Sequence, residues 1–159
     1  MDPFASPHNL DRELQSLLAE ASTNLCDWFA ESGSKGPIPD PFDFPEVPPK
    51  KNGVSNSVLL KELQILMNAS FRPSHPGALA HLDPPPLSAS IVGEMICAGL
   101  NNNLLAEELS PCLSSLERKL CKWFCEKLGL GNLSGGVAAS GGSLSNLMAL
   151  VMARNIAGL

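Results

Sequence analysis

The sequence predicts a stretch that is mainly α in this region, on three observations. Leu, Ala, Val, Ile and Met carry the apolar content, while aromatics are limited to 2 Trp and 6 Phe with no Tyr, a balance that favours helices. Four runs space their apolar residues three and four apart, as a helix stripe requires. Against these stands one short strand candidate, Val137 to Ala139, which turns through two glycines into a further helical pattern.

The first stripe is Leu10, Leu14, Leu17, Leu18, Ala21, Leu25, Trp28 and Phe29, with Asn9 placed to cap its start and Gly33 its end. A helix so apolar on one side needs a surface to lie on. Residues Gly36 to Asn52 then hold 6 prolines. Proline fixes φ and removes donors, so this is an extended strap, and its interleaved Phe42, Phe44 and Val47 suggest that it lies on protein. Ser57 is placed to cap a second helix through Leu59, Leu60, Leu63, Leu66 and Met67, ending before Arg72-Pro73. An irregular stretch from Pro73 to Pro86 follows, too proline-dense at both ends for helix.

A third helix spans about Ser88 to Leu100 and breaks at Asn101-Asn102-Asn103. The fourth starts with Ser110 as cap and Pro111 at the first helical position. It continues through Leu113, Leu116, Leu120, Trp123, Phe124 and Leu128 to Gly129, which stops it.

Near the end comes Gly135-Gly136-Val137-Ala138-Ala139-Ser140-Gly141-Gly142-Ser143 and then Leu144, Leu147, Met148 and Val151. A helix N-terminus exposes unpaired N–H groups and a partial positive charge, so it attracts a phosphate without a lysine. Gly141 and Gly142 allow close backbone approach and Ser143 adds a hydroxyl donor. The loop is neither Walker A nor Gly-x-Gly-x-x-Gly. A tight strand-to-helix turn with Ser143 as an ordinary cap accounts for the same residues.

Net charge is −5 with basic residues dispersed, which argues against nucleic acid because phosphate tracking needs a concentrated basic face. No apolar run is long enough for about 30 Å of hydrocarbon, and the N-terminus lacks the marks of an export signal; a cytoplasmic location and no membrane partner are expected. The 5 cysteines suit reduced core thiols better than a disulfide framework. Cys121 and Cys125 share a helix face, but no second pair stands at finger spacing, so no metal is expected.

The segment Gly136 to Leu150 resembles the cofactor-phosphate segment of the group II pyridoxal-phosphate-dependent amino-acid decarboxylases. Two further stretches resemble the same family in the same order. His75-Pro76, His81-Leu82 and Pro84-Pro85-Pro86 are similar to its His-Pro segment at the substrate entrance. Glu108-Leu109-Ser110-Pro111, leading to Leu116-Glu117 and Trp123, is similar to the helix before its phosphate loop. The resemblance implies the N-terminal part of a fold-type-I α/β enzyme, with the sheet and C-terminal domain missing, that uses pyridoxal 5'-phosphate on an amino-acid substrate and is usually a homodimer with N-terminal helices wrapping the neighbouring subunit. By the same carry-over Gly142 and Ser143 hold the cofactor phosphate, Gly141 shapes the turn, and His81, Leu82 and Asp83 lie near the substrate entrance. Loop-bracing hydrogen bonds are the preferred role for His75.

Residues 1–56 then form an N-terminal helix and proline-rich strap, and 57–159 the start of the large domain. Decarboxylation with this cofactor also needs a lysine to link it, an acid on its ring nitrogen and usually a stacked histidine. Every lysine, from Lys35 to Lys127, precedes the loop, so no catalytic residue is assigned and the chain alone is expected to be inactive. A truncated or split decarboxylase, a non-catalytic helical interaction or dimerisation module, and a vestigial product all remain compatible with the sequence.

Overall fold

A computed structural model describes residues 4–45, 48, 50–79, 82 and 84–158. The chain divides into two compact units, Met1–Leu87 and Ser88–Leu159. Helices α1 (Arg12–Ala30) and α2 (Asn56–Asn68) lie in the first, and α3 (Ser88–Leu100), α4 (Pro111–Lys127) and α5 (Gly142–Ala157) in the second. The expected boundary after residue 56 lies at the first residue of α2, and α2 packs against α1.

α1 is capped by Asp11 and not by Asn9: the Asp11 carboxylate accepts the Leu14 N–H at 2.9 Å, satisfying one of the donors that a helix start leaves free. That bond, ahead of those from Ser6 and Glu13, holds the Asp11 carboxyl below its ordinary range. The helix passes at Glu31 into a 3-10 turn, Glu31–Gly33. Its end is closed from outside. The Trp28 carbonyl accepts the Arg72 Nη1 at 2.8 Å and the buried Ser32 hydroxyl at 3.2 Å, and the Arg72 guanidinium also lies over the Trp28 ring, 4.8 Å from its centre. A cation at a helix C-terminus is favourable because the last carbonyls are unpaired and the dipole is negative there. Arg72 is only 3 % exposed.

Trp28 and Leu60 are the buried apolar side chains of the first unit among the described residues. The proline strap is held where the Arg72 N–H donates to the Pro37 carbonyl at 2.9 Å. Phe42 and Phe44 meet edge to face with centres 4.6 Å apart; Val47 lies outside the described residues. α2 is capped by Ser55, whose hydroxyl accepts the Val58 N–H at 3.4 Å, and not by Ser57, which already belongs to the helix and contacts the Ser55 hydroxyl instead.

In the second unit α3 spans the residues expected and ends at Asn101, which takes a left-handed φ of 45°. Pro111 opens α4 as expected, but Ser110 makes no side-chain cap; its hydroxyl is buried with no partner among the described residues. A 3-10 turn, Glu107–Leu109, precedes α4 and is tied to it by Arg118 Nη2 donating to Glu107 Oε1 at 2.7 Å. α3 and α5 contain no buried residue, and within their unit neither packs against another element among the described residues. No strand occurs among the described residues: Val137 to Ala139 has no regular secondary structure and no ladder partner. The cysteines are free, and only Cys125 is buried, so the expectation of core thiols fails for Cys26, Cys97 and Cys112, which are exposed.

Candidate functional site

α4 ends in a sharp reversal. The Leu130 N–H returns to the Cys125 carbonyl at 3.0 Å and the Gly129 N–H to that of Glu126 at 3.1 Å, and Gly129 has a φ of 71° that glycine adopts without a steric penalty. From Gly135 the chain runs back along α4. Cys125 Sγ donates to the Gly135 carbonyl at 3.5 Å; a Cβ on Gly136 would come within 3.3 Å of that of Cys121; and Glu117 Oε1 accepts the Ala138 N–H at 2.8 Å. Positions 117, 121 and 125 are four apart and therefore share one face of the helix. This side-chain stripe, and no pairing strand, holds the segment in which a short strand at Val137 to Ala139 was expected.

α5 starts directly beyond. Gly141 at its N-cap is extended, and its carbonyl accepts both the N–H and the hydroxyl of Ser145, each at 3.1 Å. Ser143 lies one residue inside the helix, so it is not the ordinary cap that the alternative reading required. The amides of Gly142, Ser143 and Leu144 donate to no acceptor among the described residues. Gly141, Gly142 and Ser143 are exposed, and a Cβ on either glycine would meet open space. Nothing in the protein's own packing therefore demands glycine here. The turn presents three convergent donors to whatever approaches the positive end of a 16-residue helix.

His75 braces its own loop: its Nδ1 accepts the Gly77 N–H at 2.8 Å and its carbonyl accepts the Ala78 N–H at 2.9 Å. A Cβ at 77 would sit 3.0 Å from that ring nitrogen, so any larger residue there would have to displace the imidazole by a few tenths of an ångström. Leu82 is 98 % exposed, while His81 and Asp83 lie outside the described residues. No group of three or more His, Cys, Asp or Glu converges on one point among the described residues; Cys121 and Cys125 engage the backbone of Gly136 and Gly135. No described helix is long and apolar enough to cross a membrane.

Periodicity did not reveal Glu117 or Arg72 as tethers. The available signal was the four-residue spacing of Glu117, Cys121 and Cys125 opposite a pair of small residues, Gly135-Gly136.

No protein-family model matches the chain. It is 29% identical over 146 residues to an L-2,4-diaminobutyrate decarboxylase of Acinetobacter baumannii, covering 90% of this chain and 29% of that protein. It is 30% identical over 105 residues to a glutamate decarboxylase-like protein of Gibberella zeae, covering 65% and 20%. The crystal structure of mouse CSAD superposes with a TM-score of 0.78 at 22% identity, over 91% of this chain and 32% of that one. The chain thus spans under a third of the length of each. In sequence the chain is similar to amino-acid decarboxylases, and it shares the fold of mouse CSAD over most of its length, in agreement with the resemblance to the group II pyridoxal-phosphate-dependent decarboxylases.

Proposed function

We propose that the chain supplies the segment of an amino-acid decarboxylase that grips the phosphate of pyridoxal 5'-phosphate, with Gly142 and Ser143 donating to it and Gly141 shaping the turn. The observation that carries this reading is the first turn of α5, where three exposed amides have no acceptor among the described residues. A dianionic ester fits such a site because its oxygens accept what the helix start cannot pair internally. The Ser143 hydroxyl adds a donor. When bound, the cofactor supplies the electron sink for loss of a substrate carboxylate; this chain's residues bind and orient it.

His81, Leu82 and Asp83 are assigned to the substrate entrance by resemblance. Residues 1–56 serve as the dimer-wrapping helix and strap, and 57–159 begin the large domain. Support for wrapping comes from an apolar groove of about 390 Å³ between α1 and α2, lined by Leu25, Trp28, Leu60, Leu63 and Leu66. No lysine follows Ser143 in these 159 residues, so the chain by itself is expected to bind without decarboxylating.

The test compares pyridoxal 5'-phosphate with pyridoxal by absorbance titration of the full chain. Preference for the phosphate ester, reduced about tenfold by Ser143→Ala, is expected, because one hydrogen bond to a charged acceptor is lost. Equal affinity for the two compounds, or none for either, would remove the phosphate site. A chain that sediments as a monomer at every concentration would remove the wrapping role.

A further inference from the structure

We propose that Glu117 is a positioning residue for the phosphate turn: its carboxylate holds the Ala138 N–H and so fixes where the first-turn amides of α5 point. The inference rests on the phosphate reading above and adds a residue to it.

The run from Gly135 to Ser140 has no strand beside it among the described residues, so its backbone cannot be aligned by a ladder. Its alignment comes from α4 at three points, through Cys125 to Gly135, Cys121 to Gly136 and Glu117 to Ala138. The three differ in strength. A thiol donating to a carbonyl at 3.5 Å is weak, and the approach of Cys121 to Gly136 is contact alone. An ionised carboxylate accepting an amide at 2.8 Å is a charge-assisted bond, roughly twice as strong as a neutral one. It also stands nearest the turn, with three residues between Ala138 and Gly142. Glu117 is half-buried on α4, a rigid element, so the bond transmits a fixed position. Without it the weak contacts at Gly135 and Gly136 leave the next residues free to rotate, and the donors at Gly142 and Ser143 lose their common aim.

Three variants of the full chain separate reach from charge. Glu117→Gln keeps an oxygen acceptor at the same distance without the charge. Glu117→Asp keeps the charge but is one methylene too short. Glu117→Ala removes both. Two readouts are taken: hydrogen exchange of the Ala138 amide, and affinity for pyridoxal 5'-phosphate by equilibrium dialysis, with circular dichroism to confirm unchanged helix content.

Glu117→Gln should retain protection and bind within about threefold of the parent, while Glu117→Asp and Glu117→Ala lose protection and bind about tenfold more weakly. Should Glu117→Ala fail to fold, the Gln and Asp pair carries the comparison. Loss of protection without loss of affinity overturns the proposal, as does equal behaviour of all variants. A parent chain that protects Ala138 but takes up no pyridoxal 5'-phosphate overturns the phosphate reading, and the positioning role with it. A parent chain that binds the cofactor while Ala138 exchanges freely overturns the role of Glu117 alone.

Discussion

In the first unit α1 and α2 bury Trp28 and Leu60 between them, and Arg72 closes the end of α1 from 44 residues away. In the second unit α4 secures a returning backbone segment, yet α3 and α5 bury nothing. The two differ less in hydrophobic content than in where it goes. Ile91, Val92, Met95 and Ile96 on α3 and Leu147, Leu150, Val151 and Ile156 on α5 are as apolar as any core, and a helix apolar on most sides is ordinarily an interior one. The lesson is that one unit contains its own packing partner, whereas the second leaves two apolar helices uncovered among the described residues.

The contrast can be broken most sharply at Trp28. Trp28→Ala is expected to destabilise the first unit by about 3–5 kcal/mol, read from denaturant unfolding; an unchanged midpoint would show that this unit has no real core. Arg72→Ala follows, at about 2 kcal/mol, through loss of a charge-assisted bond and a cation–π contact. Arg72→Lys should not restore it, because an ammonium lacks the planar fork that both bonds the carbonyl and covers the ring.

In the second unit Leu150→Ala should change stability by less than about 0.5 kcal/mol, since its side chain is 69 % exposed. A loss of several kcal/mol in the isolated chain would mean that α5 is packed after all. The smallest effect is electrostatic. Lys35 hydrogen-bonds Glu31 and, together with Arg72, holds its carboxyl below the ordinary 4.5. The unfolded chain therefore takes up the proton first, so this contribution is complete above pH 4.5 and is lost as the pH falls through the lower folded value. Both partners are about half exposed, so solvent screens the pair. Glu31→Gln should flatten only this acid limb of the thermal-unfolding profile; a changed profile near neutrality would exclude it as the source.

Local signals were legible in the sequence where one candidate stood alone. Pro111 fixed the start of α4 and the asparagine triplet the end of α3, since proline and a break in periodicity have few substitutes. Caps were less legible where several polar residues competed. Asp11 displaces Asn9 and Ser55 displaces Ser57, each accepting the amide three residues on, at Leu14 and Val58; a cap is set by where the helix starts, and either neighbour has a suitable side chain. Around Val137 the residue types read as a strand, but a strand is a relation between two segments. The contacts that took its place, Glu117 to Ala138 and Arg72 to Trp28, span 21 and 44 residues and leave no periodic trace. The glycine turn was visible as composition. That its amides find no acceptor among the described residues is a property of the folded backbone and leaves no mark on composition.

The way Gly135 to Ala138 is seated on α4 also sets how the chain tolerates length changes. An extended backbone advances about 3.3 Å per residue and alternates its side chains between opposite faces, whereas a helix offers a matching side chain only once per turn, about 6 Å along its axis for a step of four. One residue added within 131–134 becomes slack upstream of the first tether. The same residue added between Gly136 and Ala138 rotates the next amide away from the carboxylate, and the frame of everything after it slips.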